Sequence, residues 1–336
     1  MRDCACNRNI VSGGPSIIRK PGAYRSNLEF TNSLRSNFLA AQQDYAPDSV
    51  DEADPELAIV NGTTNGNGFL HDSNGDGREG ASPSSDSVSS HSIPSWTSHE
   101  GDVIYVPRID FSEAGLQEEA AQYEITVKLF FLPTAPVLKR AEHAREALDL
   151  VRKELGGVPS ISLLIISFPG MSFEGDCEWE ADKLNASQGN DEEELATWPA
   201  LEELHRQGLV QNLGIAEFGS EKLARFLKRV QVRPTVNQIN IKNCCNVPPP
   251  LVKLARENGI ELLVHSDCTD ILSRGTLREL LGQGLQGAGV LADSETGKGG
   301  LKGELTPQWV VKYTAVVKDR GVIENKGYFA SAELEE

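Results

Sequence analysis

Residues 125–167 read ITVKLFFLPTAPVLKRAEHAREALDLVRKELGGVPSISLLIIS. Two nearly continuous apolar runs, ITVKLFFL at 125–132 and SISLLIIS at 160–167, bracket a helix-period stretch over 137–155. That stretch puts Leu148, Val151 and Leu155 on one face, and the Gly156–Gly157 pair ends it. Strands that stay apolar without alternation are buried on both sides, as in a parallel sheet covered by helices. A single strand–helix–strand unit thus decides the class, and the flanking sequence repeats it.

Downstream, Leu195, Trp198, Leu201 and Leu204 mark a helix at three-residue spacing, and LVQNLGIA (209–216) is a third strand. A helix capped by Ser220 carries Leu223, Phe226, Leu227 and Val230. TVNQINI (235–241) is a fourth strand, and PPPLVKLARENG (248–259) is a helix opened by proline and closed by Gly259. IELLVHS (260–266) is a fifth strand. After a Gly-rich stretch, the pattern predicts a helix over 306–320 and a last short strand, VIENK. Upstream, VIYVPRIDF (103–111) is a candidate for an early strand. The rhythm alone fits either a (β/α)8 barrel or a doubly wound sheet.

The chain has 336 residues, with 49 acidic against 32 basic side chains and a formal charge of −17. The excess is local. Residues 44–102 hold −11 and residues 176–194 hold −7, so the remainder is close to neutral. With no basic cluster, nucleic acid is not an expected partner. No apolar run is long enough to span a bilayer, and MRDCACNRNIVSGG has no apolar signal region. A cytoplasmic protein with reduced thiols is expected, and its six cysteines are not read as a disulfide framework.

The expected organisation has five parts. Residues 1–22 form a flexible tail, and 23–46, with Leu28, Phe30, Leu34, Phe38 and Leu39, form a segment docking on the barrel. Residues 47–102 are an acidic Ser/Gly-rich linker too poor in apolar groups to offset its ordering entropy, hence disordered. Residues 103–330 form the barrel, with an acidic loop at 176–194, and 331–336 are a tail.

Several motifs are weak. Gly282, Gly284 and Gly287 match G-x-G-x-x-G but follow a helix rather than a strand, so a loop is the reading. Asp72, Asn74, Asp76 and Gly77 copy half a calcium loop whose closing position is Pro83. Cys4 and Cys6 are too close for a zinc site, and no metal is expected. Cys244 and Cys245 end a strand, where ligands usually sit in α/β folds, or are buried thiols. With Cys268 they allow a thiol-based redox sensor or a thiol link to a partner. His265 ends the fifth strand, followed by Ser266 and Asp267, and is either a general base at the strand end or a satisfied polar residue, since the sequence identifies no partner for it. Lys128 is the most unusual placement. A lysine inside a buried strand needs a partner or a cavity.

ITVKL, LLIISFPG, LVQNLGIAEF, TVNQIN and DRGVIENKGY, in this order and spacing, resemble the aldo-keto reductase barrel. The resemblance implies a (β/α)8 fold, NADPH, no metal and an Asp-Tyr-Lys-His tetrad. Lys128 falls at the tetrad lysine, while the histidine position is Ser167. The Asp–Tyr pair has no counterpart, and the chain ends nine residues after Gly327, so the barrel is truncated at its C-terminal end. Asn237, Gln238 and Lys326 are the remnant candidates for cofactor contacts. Without a proton donor and a full clamp, neither hydride transfer nor a bound cofactor is expected.

A more specific resemblance lies within that superfamily. EELHRQGLVQNLGIAEF, QVRPTVNQINIKNCCNVPPPLVKLARENGIELLVHSDCTDIL and QWVVKYTAVVKDRGVIENKGY look like the family of glutamate–cysteine ligase regulatory subunits. It implies a non-catalytic heterodimer partner of the catalytic subunit that strengthens glutamate use and relieves glutathione inhibition. Cys244, Cys245, His265, Asp267 and Cys268 are then candidate partner or redox contacts. The alternative is a divergent NADPH-dependent reductase built on Lys128.

Overall fold

The computed structural model describes residues 8–16, 26–45, 94–112, 114–241, 246–267, 270–293 and 296–335. In chain order its elements are β1 (Arg8–Pro15), α1 (Ser26–Asp44), β2 (Ser98–Glu100), β3 (Val103–Tyr105), β4 (Tyr123–Phe131) and α2 (Arg140–Glu154). There follow β5 (Ile161–Ser167), α3 (Glu178–Asn185), α4 (Asp191–Arg206), β6 (Val210–Ala216), α5 (Ser220–Leu227) and β7 (Val236–Asn240). The last are α6 (Pro249–Asn258), β8 (Glu261–His265), α7 (Arg274–Leu281), β9 (Glu304–Val317) and β10 (Val322–Glu335). Among these, no helix is long and apolar enough to cross a membrane.

All strands belong to one sheet, ordered β2-β3-β1-β10-β9-β4-β5-β6-β7-β8. β4 through β8 are parallel neighbours joined by helical crossovers, the α/β rhythm read from the sequence. In β4, Ile125, Val127, Leu129 and Phe131 face the core under α2, α4 and α5, where Ala144, Ala147, Leu148, Val151, Trp198 and Phe226 meet them. Each such Leu, Val or Phe contributes roughly 1.5–3 kcal/mol of burial. α2 stops at Gly156 and Gly157, both left-handed, whose N–H groups donate to the carbonyls of Lys153 and Arg152.

The other face is covered around β1, β9 and β10. Phe30, Leu34, Phe38 and Ala41 form a buried stripe on α1. They meet Ile10, Tyr328, Ala330 and, from α7, Leu277 and Leu280. The Phe30 ring lies 5.4 Å from Tyr328, and Phe38 lies 6.0 Å from Trp96.

The α/β class holds, but several local expectations do not. Residues 306–320 are not a helix: 306–317 lie in β9, antiparallel to both β4 and β10. In the run TPQWVVKYTAVV, Trp309, Val311, Tyr313, Ala315 and Val317 are buried on one face and alternate with Gln308, Val310, Lys312, Thr314 and Val316, and its β-branched and aromatic content favours a strand. Pro307 sits where the β9–β10 register shifts, a position that tolerates a missing N–H. Lys318–Gly321 turn the chain, with Gly321 at φ 61° donating to the Val317 carbonyl.

VIENK is only the start of β10, which runs through 331–335, a stretch expected to be a tail. Residues 8–15, within the expected flexible tail, are strand β1, paired along its length with β10. Ile10 and Val11 are buried there, one on each face. The 176–194 stretch is not a loop but α3 and the first turn of α4. Asn190 caps α4 by accepting from the N–H groups of Glu192 and Glu193.

Candidate functional site

Lys128 lies opposite Ile165 of β5 and Lys312 of β9, and is 4% exposed. Its Nζ donates to Asp267 Oδ2 at 2.9 Å, and Lys312 Nζ donates to Asp267 Oδ1 at 3.1 Å. One buried carboxylate thus holds two ammonium groups from neighbouring strands. The Asp267 N–H donates to His265 Nδ1 at 3.1 Å, which places the histidine proton on Nε2. That Nε2 lies 2.6 Å from Glu217 Oε1.

Glu217 is the only non-glycine residue at positive φ, 63°, among the described residues, a conformation that costs a side chain of this length. Its surroundings over-determine it. Its N–H donates to the Gln238 carbonyl at 2.8 Å, and its own carbonyl accepts from Asn185 Nδ2 at 2.7 Å. The Asn240 N–H donates to Oε2 at 3.3 Å, and Asn240 Nδ2 reaches the Asp267 carbonyl at 3.0 Å. The cluster therefore ties the ends of β6, β7 and β8 to β4 and β9.

Burial pushes the Lys128 ammonium down from its ordinary value, opposed by Asp267 and Glu217. Burial also works against the Asp267 charge, yet Lys128, Lys312 and His265 hold that carboxyl below the usual carboxylate range. Burial raises the Tyr328 phenol, helped by Glu29. Lys312 Nζ sits 6.0 Å from the Tyr328 ring centre. Chemically, Lys128, Lys312 and Asp267 satisfy one another. Among the described residues the hydrogen-bonding partners of Lys128 are Asp267 and His265, and no tyrosine hydroxyl is among them.

The structure gathers three of the residues singled out in the sequence, Lys128, His265 and Asp267, into one cluster. Ser167 lies at the end of β5 opposite Phe130, and no hydrogen bond joins it to the cluster among the described residues. Cys244, Cys245 and Cys268 lie outside the described residues. Glu217, Lys312, Asn240 and Tyr328 were missed. Lys312 carries the same signal as Lys128, one charge inside an apolar strand, hidden by the helix reading of 306–320.

The remnant cofactor residues do not fit a dinucleotide clamp. Asn237 is fully buried and spends its amide on Phe218, donating to its carbonyl at 2.7 Å and accepting from its N–H at 3.4 Å. Lys326, the one cation among them, is bound by Glu29 of α1 at 2.8 Å. Only Gln238 keeps a buried oxygen without a partner. Among the described residues no group of three or more His, Cys, Asp or Glu could hold a metal ion.

A model of the aldo/keto reductase family matches residues 111–322. The chain is 27% identical over 216 residues to the human glutamate–cysteine ligase regulatory subunit, covering 64% of this chain and 68% of that protein. It is 29% identical over 229 residues to a putative glutamate–cysteine ligase regulatory subunit of Schizosaccharomyces pombe, covering 66% and 74%. An NADPH-dependent alpha-keto amide reductase of Saccharomyces cerevisiae is 29% identical over 133 residues, 39% of this chain and 38% of that one. Among solved structures, an aldo-keto reductase of Bombyx mori in complex with NADP is similar at 26% identity and a TM-score of 0.30, covering 42% of this chain. This chain spans 40% of that structure's length.

Proposed function

The chain belongs to the aldo/keto reductase family, and we propose that within it the protein is a non-catalytic regulatory subunit of a glutamate–cysteine ligase. In this reading it binds the catalytic subunit as a heterodimer in the cytoplasm, raises its affinity for glutamate and relieves feedback inhibition by glutathione. No bound cofactor is needed. A partner achieves all of this by binding the active form of the enzyme more tightly than the inhibited form.

The similarity to two regulatory subunits over some two thirds of the chain supports the reading. The observation that carries it is the fate of Lys128, whose ammonium is held by Asp267 instead of a tyrosine hydroxyl. A lysine that is neutralised and buried serves the fold, and fold is separable from the chemistry it once hosted.

Mixing the purified chain with the catalytic subunit tests this directly. The apparent KM for glutamate should fall, and more glutathione should be needed for half-inhibition. Unchanged kinetics at a saturating excess of this chain would overturn the proposal.

A second reading has its own observation. Lys128 is retained, and the chain shares 29% identity with an NADPH-dependent alpha-keto amide reductase over a shorter stretch. Fluorescence titration with NADPH separates the two: stoichiometric micromolar binding would favour the reductase.

A further inference from the structure

Helix α1 is held to the rest of the molecule through side chains. Among the described residues no backbone hydrogen bond joins it to another element. Its apolar hold is the stripe Phe30, Leu34, Phe38 and Ala41, set against β1, β10 and α7. Its polar ties include Glu29 with Lys326 at 2.8 Å, Arg35 with Glu279 at 2.9 Å, and a long bond from Gln42 to the Ala288 carbonyl at 3.4 Å. Both ion pairs reach solvent, and pairs of that kind hold weakly.

The same seam buries polar atoms that nothing satisfies. Ser12 Oγ on β1, Ser33 Oγ and Arg35 Nε on α1, and Tyr328 Oη on β10 complete no hydrogen bond. Each would regain water if the helix moved off, so burying them works against docking. The helix also does little to hold itself. Three serines, three asparagines and a threonine occupy its nineteen residues, and its last turn has Asp44 and no basic residue. β4 and β5 show the opposite balance, each hydrogen-bonded along both edges and packed in the main apolar core.

What α1 covers is the polar cluster. The Phe30 ring meets Tyr328, and Lys312 Nζ sits 6.0 Å from the Tyr328 ring centre. Lys312 is bonded to Asp267, and Asp267 to Lys128. Glu29, in the first turn of α1, binds Lys326, which shares a face of β10 with Tyr328. The helix, the tyrosine and the cluster are therefore stacked in that order.

We propose that α1 is a lid on the Lys128–Asp267–Lys312 cluster, docked by its apolar stripe and released as one unit while β4 to β8 stay folded. Release melts the helix, because a single helix of this composition does not persist in water. It returns Ser12, Ser33 and Tyr328 to solvent and bares Lys312 from the Tyr328 side. The device goes beyond the regulatory-subunit reading and does not depend on it, since nothing in it requires a partner.

Hydrogen exchange of the full chain, read peptide by peptide by mass spectrometry, tests the release. Peptides across residues 30–41 should exchange roughly 100-fold faster than those of β4 and β5. Ser33→Ala removes an unpaired hydroxyl and a weak helix former, so it should slow the whole of α1 by roughly 10-fold. Ile166→Val, in the core of β5, should quicken β4 and β5 by roughly 3- to 10-fold and leave α1 as it is. Acetylation of Lys312 by acetic anhydride reads the uncovering. It should slow with Ser33→Ala and quicken with Glu29→Gln, while Lys253, an exposed lysine on α6, should not change.

Equal exchange of α1 and β5 in the wild type, or equal quickening of both by Ile166→Val, means that α1 opens only with the whole fold and overturns the proposal. A slowing confined to the neighbours of Ser33 reports local fraying and also overturns it. Rapid exchange of α1 with Lys312 acetylation that ignores both variants shows a helix that leaves without uncovering the cluster, and the lid fails.

Discussion

Lys128 and Asp267, 139 residues apart in sequence, meet at 2.9 Å in a site where their side chains are 5% and 10% exposed. Lys312 completes the arrangement from the other side of the carboxylate. A buried pair of this kind gains little over apolar groups of the same shape, but breaking it from one side leaves a bare charge.

The two partners should therefore differ on mutation. Asp267→Asn strands two ammonium groups and should cost about 3–5 kcal/mol. Lys128→Met removes one ammonium and leaves Asp267 with Lys312, so a loss nearer 1 kcal/mol, typical of a volume-conserving core swap, is expected. Urea unfolding of both variants gives the comparison. Equal losses would mean that Lys312 does not share the carboxylate.

The Asp267 pairing also has a pH signature. Its carboxyl is depressed in the folded chain, so its stabilisation is present above the ordinary value of about 3.8–3.9 and is lost as pH falls below it. Wild-type stability should drop through that range, and Asp267→Asn should flatten the drop.

Asn185 should matter beyond its size. It is fully buried, and its amide satisfies the Glu217 carbonyl, the Ser172 carbonyl and the Gly219 N–H. Asn185→Ala leaves these groups unpaired and frees the strained backbone at Glu217, at a cost of about 2–4 kcal/mol. Hydrogen exchange should then quicken at Glu217 and Gly219. Unchanged exchange there would show that Glu217 is held by its other contacts.

The five parallel strands were legible because continuous apolar runs alternating with helix-period runs have one common solution. β9 was not, because Val310 and Val316 interrupt the alternation of polar with apolar residues along it and blur strand and helix periods, and of β10 only the start was. Of the cluster, Lys128, His265 and Asp267 each stood out singly as a polar group in or after an apolar strand. Their meeting did not, since it depends on how far β8 lies from β4 across the sheet. Glu217 gave no signal at all. Its role follows from a positive φ that only the backbone reveals.

β1 offers a steric test. A Cβ at Gly13 would run into the Tyr328 carbonyl and the Phe329 side chain. Backbone and a buried ring cannot yield as a flexible side chain can, so Gly13→Ala should cost about 1–3 kcal/mol. Limited proteolysis should then cut within residues 8–15 before the rest of the fold. Wild-type resistance in the variant would mean that β1 can move away from β10 without loss.

The last prediction concerns two buried groups on α2 that titrate in opposite senses. Burial alone raises Glu154 from 4.5 to about 7, at a helix C-terminus where a negative charge is further disfavoured. The folded chain holds that proton more tightly, so the stability tied to it is present below pH 4.5 and is lost as pH rises through about 7. The shift sets a ceiling of about 3 kcal/mol on this loss. Burial, with Lys139 and Arg140 nearby, lowers His143 from 6.5 to about 4, so its contribution is present above 6.5 and is lost as pH falls through 4. Between pH 4.5 and 6.5 the two slopes oppose, so wild-type stability should change little there. Glu154→Gln should expose the histidine slope, raising stability at pH 8 relative to wild type while leaving pH 4 nearly unchanged. A Glu154→Gln variant that is no more stable than wild type at pH 8 would show that the carboxyl is already solvated when ionised.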